Sequence, residues 1–177
     1  MTISNTPFRS CPPFSKSFTE MSAVIAEGIV FRRMRPGDRE GVQSFFDEMG
    51  PESAAFFNVD HGNEKRVMAF FADGKPDHRF WVAEAGGVIV GLAFIWDLFS
   101  MIPWFGVAVR DGWQGRHIGT GVVNAVCEEC AAEGRGGLLL RTAETNRAAR
   151  ALYEKCGFEQ LGRHPSGEIL YLKRFTL

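Results

Sequence analysis

The chain has 177 residues, 45% hydrophobic and 23% charged, which fits one globular domain and excludes a second large domain, a coiled coil, a collagen-like repeat or wholesale disorder. Lys and Arg number 20 against 21 Asp and Glu, so no overall field gathers nucleic acid or an anionic membrane, and any anion must be bound locally. Four cysteines are too few for a disulfide framework; Cys127 and Cys130 look like half a zinc site, but no second pair stands at ligand spacing, and packed reduced thiols without a metal are expected.

Residues 1–20 are rich in Ser, Thr, Pro and Asn without a period and read as a disordered tail ahead of one domain over 21–177. Arg9 and Lys16 precede no apolar block of signal-peptide length, which predicts a cytoplasmic protein. The patterned chain begins with a strand from Ile29 to Met34, closed by Pro36-Gly37, after which Asp38 is placed to cap a helix with Val42, Phe45, Phe46 and Met49 on one face. Gly50-Pro51 stops that helix, a second helical stretch covers 52–58, and a third opens at Asn63 with Val67, Met68 and Phe71 inward, ending at Asp73-Gly74.

Strands follow at Phe80–Ala85 and Val88–Trp96 around Gly86-Gly87, a pair suited to the positive φ angles of a tight hairpin, and then at Trp104–Val109. The stretch from Gly86 to Val109 has one charge, Asp97, and the length of a membrane span. Its glycines, Pro103 and the lack of a flanking basic cluster favour two buried strands joined by a loop. Gly119–Glu133 is a helix ended by Gly134, Leu138–Arg141 a short strand, Asn146–Cys156 a helix with Ala148, Ala149, Leu152 and Tyr153 inward, and Phe158–Leu161 and Glu168–Lys173 are closing strands. This order predicts an α/β fold, an α+β mixed sheet of about seven strands with helices on both faces. Its most crossover-like units are 104–141 and 138–161, and a ligand loop at 110–118 lies beyond a strand end.

That loop, Arg110-Asp111-Gly112-Trp113-Gln114-Gly115-Arg116-His117-Ile118-Gly119-Thr120-Gly121, leads directly into a helix. A helix start offers unpaired N–H groups and the positive end of the dipole; Gly115 and Gly119 allow close approach, and Arg116 adds a full charge. The pattern suits a diphosphate, although an ordinary glycine-containing turn fits it as well.

The strand, Gln114 and Gly119 then resemble the Gln/Arg-x-x-Gly-x-Gly/Ala signature of the GCN5-related N-acetyltransferases, the GNAT superfamily. Asn146-Arg147-Ala148-Ala149-Arg150-Ala151-Leu152-Tyr153-Glu154-Lys155-Cys156-Gly157-Phe158 resembles that family's second hallmark. The likeness runs over roughly 29–173. It implies a mostly antiparallel acyl-CoA N-acyltransferase sheet, acetyl-CoA as cosubstrate, and direct attack of an amine on the thioester. It further implies that Val107, Ala108 and Val109 run beside the pantetheine arm, that Gln114, Gly115, Arg116, His117, Ile118, Gly119 and Thr120 surround the diphosphate, that Asn146 contacts the cofactor, that the Val109 N–H is the oxyanion donor, and that Tyr153 protonates the leaving thiolate. His117 stands where the signature usually has its first glycine; a right-handed helix-start backbone there would need none.

The amine must lose a proton before attack. Glu84, Asp97 and Glu144 are the carboxylates nearest the expected strand ends, with Asp97 best placed to face the cleft, and Asp60 and His61 are candidate substrate contacts. Trp81, Trp96, Trp104 and Phe105 fit core or cleft lining. The expected acceptor is a small-molecule or peptide amine, with no nucleic acid or membrane partner; a homodimer stays open. A catalytically silent acyl-CoA sensor is the competing class, and an ATP site lacks the Gly-Lys-Ser/Thr ending of a P-loop.

Overall fold

The computed structural model describes residues 22–26, 28–57, 62–72 and 77–176. The expected tail at 1–20, Asp60, His61 and the Asp73-Gly74 stop lie outside the described residues. The strands are β1 (Ser22–Ala26), β2 (Ile29–Arg33), β3 (Arg79–Ala85), β4 (Val88–Trp96), β5 (Trp104–Val109), β6 (Gly137–Thr142), β7 (Glu159–Arg163) and β8 (Ile169–Arg174). The helices are α1 (Arg39–Asp47), α2 (Pro51–Phe57), α3 (Asn63–Met68), α4 (Ile118–Ala132) and α5 (Arg147–Lys155), with short 3-10 turns at Pro36–Asp38 and Ala69–Phe71. All seven strands expected from the sequence are present, and β1 adds an eighth at the edge.

The sheet runs β1-β2-β3-β4-β5-β6-β8-β7 and is antiparallel throughout except between β5 and β6. Gly86 and Gly87 turn β3 into β4 with φ of 55° and 85°, values that L side chains disfavour. The apolar 86–109 stretch is therefore mostly the β4–β5 pair rather than one long helix, and no helix among the described residues is long and apolar enough to cross a membrane. The 104–141 segment is a crossover, β5-α4-β6. In 138–161, by contrast, β8 inserts between β6 and β7, because β8 can pair antiparallel with both.

Strand alternation sorts the core into two layers. Val82, Leu92 and Phe94 face Val42, Phe45 and Phe46 of α1, Phe57 of α2 and Val67 of α3. Trp81, Ala93, Ile95 and Phe105 belong to the other layer with Ile118, Val122 and Val126 of α4, Tyr153 of α5 and Cys156 just after it. Each fully buried Phe or Leu contributes about 1.5–3 kcal/mol, which holds these short helices in place despite their length. Cys127 and Cys130 lie buried on α4, and burial pushes their thiols up to about 11 and about 12.

Two polar anchors fix the layers. Glu129 of α4, 4% exposed, accepts hydrogen bonds from Arg33, from Arg79 Nη1 at 3.1 Å and from Trp81 Nε1 at 3.0 Å, so its buried charge is fully met. Asp38 does not cap α1 as the sequence suggested: its carboxylate turns back to accept two 2.8 Å bonds from Arg32 and one of 2.7 Å from the Arg35 amide. Burial raises the Asp38 pKa, but the Arg32 and Arg35 hydrogen bonds outweigh it and hold the carboxyl below its ordinary range.

Candidate active site

β5 and β6 are paired only at Trp104 and Leu139, so β5 leaves its neighbour and opens a gap toward its C-terminal end. The direction of its backbone groups follows from two hydrogen bonds. The Arg110 N–H donates to Val90 O of β4 at 2.8 Å, and Pro103 O accepts from Leu139 N–H of β6 at 3.0 Å. Since successive residues alternate sides, the N–H groups of Val107 and Val109 point away from β4, into the gap.

The gap opens onto the N-terminus of α4. Its N-cap, His117, makes no side-chain cap, the first turn holds no acidic residue, and the helix ladder starts with Gly121 N–H to His117 O at 3.0 Å. The N–H groups of Ile118, Gly119 and Thr120 are thus free to meet an anion with the dipole behind them. His117 has φ 63° and ψ 5°, so it is left-handed and not in the right-handed conformation expected of it. The backbone there keeps the shape glycine favours, and the histidine bears strain of about 1–2 kcal/mol. Among the described residues the two non-glycine positive φ angles are those of His117 and Asp97, at 55°, and both line the same cleft.

This cleft, about 1430 Å³, takes in the β5–β6 gap, the 113–120 turn, the start of α5 and the aromatic ends of β4 and β5. It collects Val107, Ala108, Val109, Gln114, Gly115, His117, Ile118, Gly119, Thr120, Asn146, Tyr153 and Asp97, while Arg116 is not in the lining. The Arg116 guanidinium lies 4.7 Å over the Trp113 ring and donates to Gly112 O at 3.0 Å. The side-chain amide of Gln114 is taken up within the turn by Val109 O at 3.1 Å and Asp111 Oδ1 at 3.0 Å. Gly119 has a packing reason as well, since a Cβ there would come within 3.0 Å of Leu152 on α5.

Asn146 Oδ1 caps α5 by accepting the Ala149 N–H at 3.1 Å. Tyr153, about two turns on, is 5% exposed and packs on Phe158 and Tyr171. Burial, with a lesser push from Cys156, raises its phenol well above the ordinary range, so it stays protonated and able to donate. Asp97 is exposed at the end of β4. Glu84 is bound by Arg32 at 2.6 Å and Glu144 by Arg163 at 2.7 Å, and neither lines the cleft. Trp81 is core, Phe105 is buried in the core and also borders the cleft, and Trp96 and Trp104, opposite each other in the β4–β5 register, line the cleft.

Two features had no clear sequence signal. Asp111, inside the turn, accepts from the Gly50 N–H at 2.7 Å and Ser53 Oγ at 2.5 Å, tying the turn to the start of α2. His78, just before β3, lines the cleft with its Nδ1 at 2.8 Å from Asp77 Oδ1.

Residues 43–158 match the family described as the acetyltransferase (GNAT) family, so the chain belongs to it. Solved structures agree in fold. The GNAT domain of S. lividans PAT aligns over 90% of this chain and 99% of that one, with 16% identity and a TM-score of 0.75. The ribosomal-protein-S5-alanine acetyltransferase of Vibrio fischeri covers 87% and 96%, with 15% identity and a TM-score of 0.73. The PaiA N-acetyltransferase of Thermoplasma acidophilum, solved in complex with coenzyme A, covers 83% and 99%, with 13% identity and a TM-score of 0.69. A curated relative, probable N-acetyltransferase family 8 member 5 of Mus musculus, is 27% identical over 97 residues, 51% of this chain and 43% of that protein. The match thus spans less than half of that relative's length.

Proposed function

We propose that the chain transfers an acetyl group from acetyl-CoA to a primary amine of a small molecule or peptide, without a metal, as a cytoplasmic enzyme. The observation that carries this reading is the continuity of the β5–β6 gap with the uncapped start of α4. One cleft offers amides for a diphosphate at one end and an unpaired strand edge for an amide-bearing arm along its length. Acetyl-CoA supplies the activated thioester. The free amides of Ile118 to Thr120 and the backbone of Gln114 and Gly115 hold the phosphates, with His117 and Asn146 beside them. Val107, Ala108 and Val109 line the pantetheine arm, and the Val109 N–H is a fixed dipole for the developing oxyanion, requiring no reorganisation as charge appears. Tyr153 gives its phenolic proton to the departing sulfur, and Asp97 offers a carboxylate at the cleft mouth to an incoming ammonium.

Calorimetry with acetyl-CoA followed by thiol release over a panel of small amines and peptides tests this reading. Saturable binding with amine-dependent release is expected. Binding without release for any amine would instead identify an acyl-CoA sensor, and no binding would end the assignment.

A further inference from the structure

We propose that His78, oriented by Asp77, is the group that takes the proton from the acceptor amine. This rests on the acetyltransferase reading above and names a residue that neither family hallmark contains. The imidazole is held on two sides. Its Nδ1 lies 2.8 Å from Asp77 Oδ1, and its ring packs on Trp96 at 4.5 Å between centroids. Asp77 is itself pinned to the end of β4, where its carbonyl accepts the Leu98 N–H at 2.9 Å. A carboxylate only accepts hydrogen bonds, so Nδ1 carries the hydrogen and Nε2 keeps its lone pair. Among the described residues Nε2 has no hydrogen-bond partner. A base with one nitrogen oriented and the other open is the arrangement that general-base chemistry needs.

Its position in the sheet agrees. Trp96, under the imidazole, is the register partner of Trp104, the last residue at which β5 still pairs with β6. The pair therefore stands where the gap closes, opposite the end at which α4 presents its amides. An acyl-CoA entering from α4 would run along β5 in the direction of this aromatic wall, so the acceptor amine would reach the thioester from the side on which His78 stands.

The other charged groups lining the cleft serve less well. Glu168 is engaged by Arg141 at 3.1 Å and by Ser166 at 2.8 Å. Asp97 and Glu52 are open to solvent, Arg66 of α3, Arg141 of β6 and Lys155 of α5 are cations, and His117 stands at the other end of the cleft, at the start of α4; Arg79, beside His78 in sequence but outside the lining, turns to Glu129 and Glu133. His78 has 18% of its side chain exposed, enough to touch a ligand and enough enclosure to hold one orientation.

The step balances. His78 Nε2 takes one proton from the ammonium and Asp77 steadies the imidazolium. The nitrogen lone pair forms the C–N bond as the C–S bond breaks. The thiolate receives the Tyr153 proton, and the second nitrogen proton, lost as the amide forms, restores the phenol.

The test compares wild type, His78→Gln, Asp77→Asn and Asp97→Asn by thiol release with an amine that wild type accepts, with acetyl-CoA affinity and thermal midpoint measured alongside. His78→Gln is expected to lower kcat/KM for the amine about 100-fold or more, the range for a lost general base, with acetyl-CoA affinity unchanged. Asp77→Asn is expected to move the acidic limb of the kcat/KM profile to lower pH, because the imidazolium loses its stabilising charge. A packing role would not move that limb. If His78→Gln also lowers the thermal midpoint, the Asp77→Asn limb decides: a displaced limb supports the proposal and an unmoved one overturns it. Wild-type kcat/KM in folded His78→Gln, with the loss appearing in Asp97→Asn, overturns the role of His78 and leaves the acetyltransferase reading standing. Wild type that releases no thiol with any amine overturns both.

Discussion

Along its β4 edge, β5 is matched from Gly91–Val109 through Trp96–Trp104; along its β6 edge it makes the single pair Trp104–Leu139. The closed edge is made of packing. Gly106 lies under the Phe94 ring, which occupies the space its Cβ would fill, and Ala93, Ile95 and Phe105 complete the core. On the open edge Val109 O is met by the Gln114 side chain, but the N–H groups of Val107 and Val109 have no partner among the described residues, next to a helix start with no cap. A strand with one satisfied edge and one unsatisfied edge in a closed fold needs a partner on the second, and the family to which the chain belongs supplies the reading that the partner is a ligand.

If the open edge is where chemistry occurs, changes there should alter rates, while changes on the closed edge should alter stability. The largest expected effect is on turnover: Tyr153→Phe should lower kcat about 10- to 1000-fold in the thiol-release assay, with acetyl-CoA affinity nearly unchanged, as for a lost general acid. Equal turnover would remove Tyr153 from the reaction. On the closed edge, Gly106→Ala forces a methyl against the buried Phe94 ring and should cost about 1–3 kcal/mol in denaturant unfolding. An unchanged midpoint would show that the ring can move aside.

His117→Gly separates strain from contact. Relief of the left-handed side chain should stabilise the free protein by about 1 kcal/mol, the lower end of the cost of that conformation. If the imidazole also bonds to the phosphates, coenzyme affinity falls in the same variant; if it only crowds them, affinity rises. The smallest effect belongs to Asp111→Asn. With one acceptor oxygen lost and the charge removed, α2 is held less firmly to the turn, at about 0.5–1.5 kcal/mol per hydrogen bond. Amide exchange at Gly50 should quicken while β4 stays protected.

The proposed coenzyme side of the cleft was far more legible in the sequence than the proposed acceptor side, for a physical reason. Consecutive amides at one strand-to-helix turn are what a diphosphate requires, so the candidates Gln114 to Thr120 stand together in the chain, and Asn146 to Tyr153 fall at the start of and along one helix. Strands β2 to β8 were equally readable because alternation and glycine turns are local signals. The opposite side of the cleft is assembled across distance: His78 precedes β3, Trp96 ends β4, and Asp111 meets Gly50 and Ser53 some sixty positions earlier. Asp38 misled for the same reason, since a cap is a local expectation and Arg32 was a competing partner across the turn. The left-handed backbone at His117 was hidden because glycine is the residue that ordinarily signals it.

The central claim is most directly tested by hydrogen exchange resolved to single amides, with and without acetyl-CoA. Gly106 and Ala108, whose N–H groups point to β4, should be protected in both states. Val107, Val109 and Ile118 to Thr120 should exchange readily alone and become protected on adding the coenzyme. Equal exchange at those five amides in both states, with the protein folded and the coenzyme in excess, would contradict it.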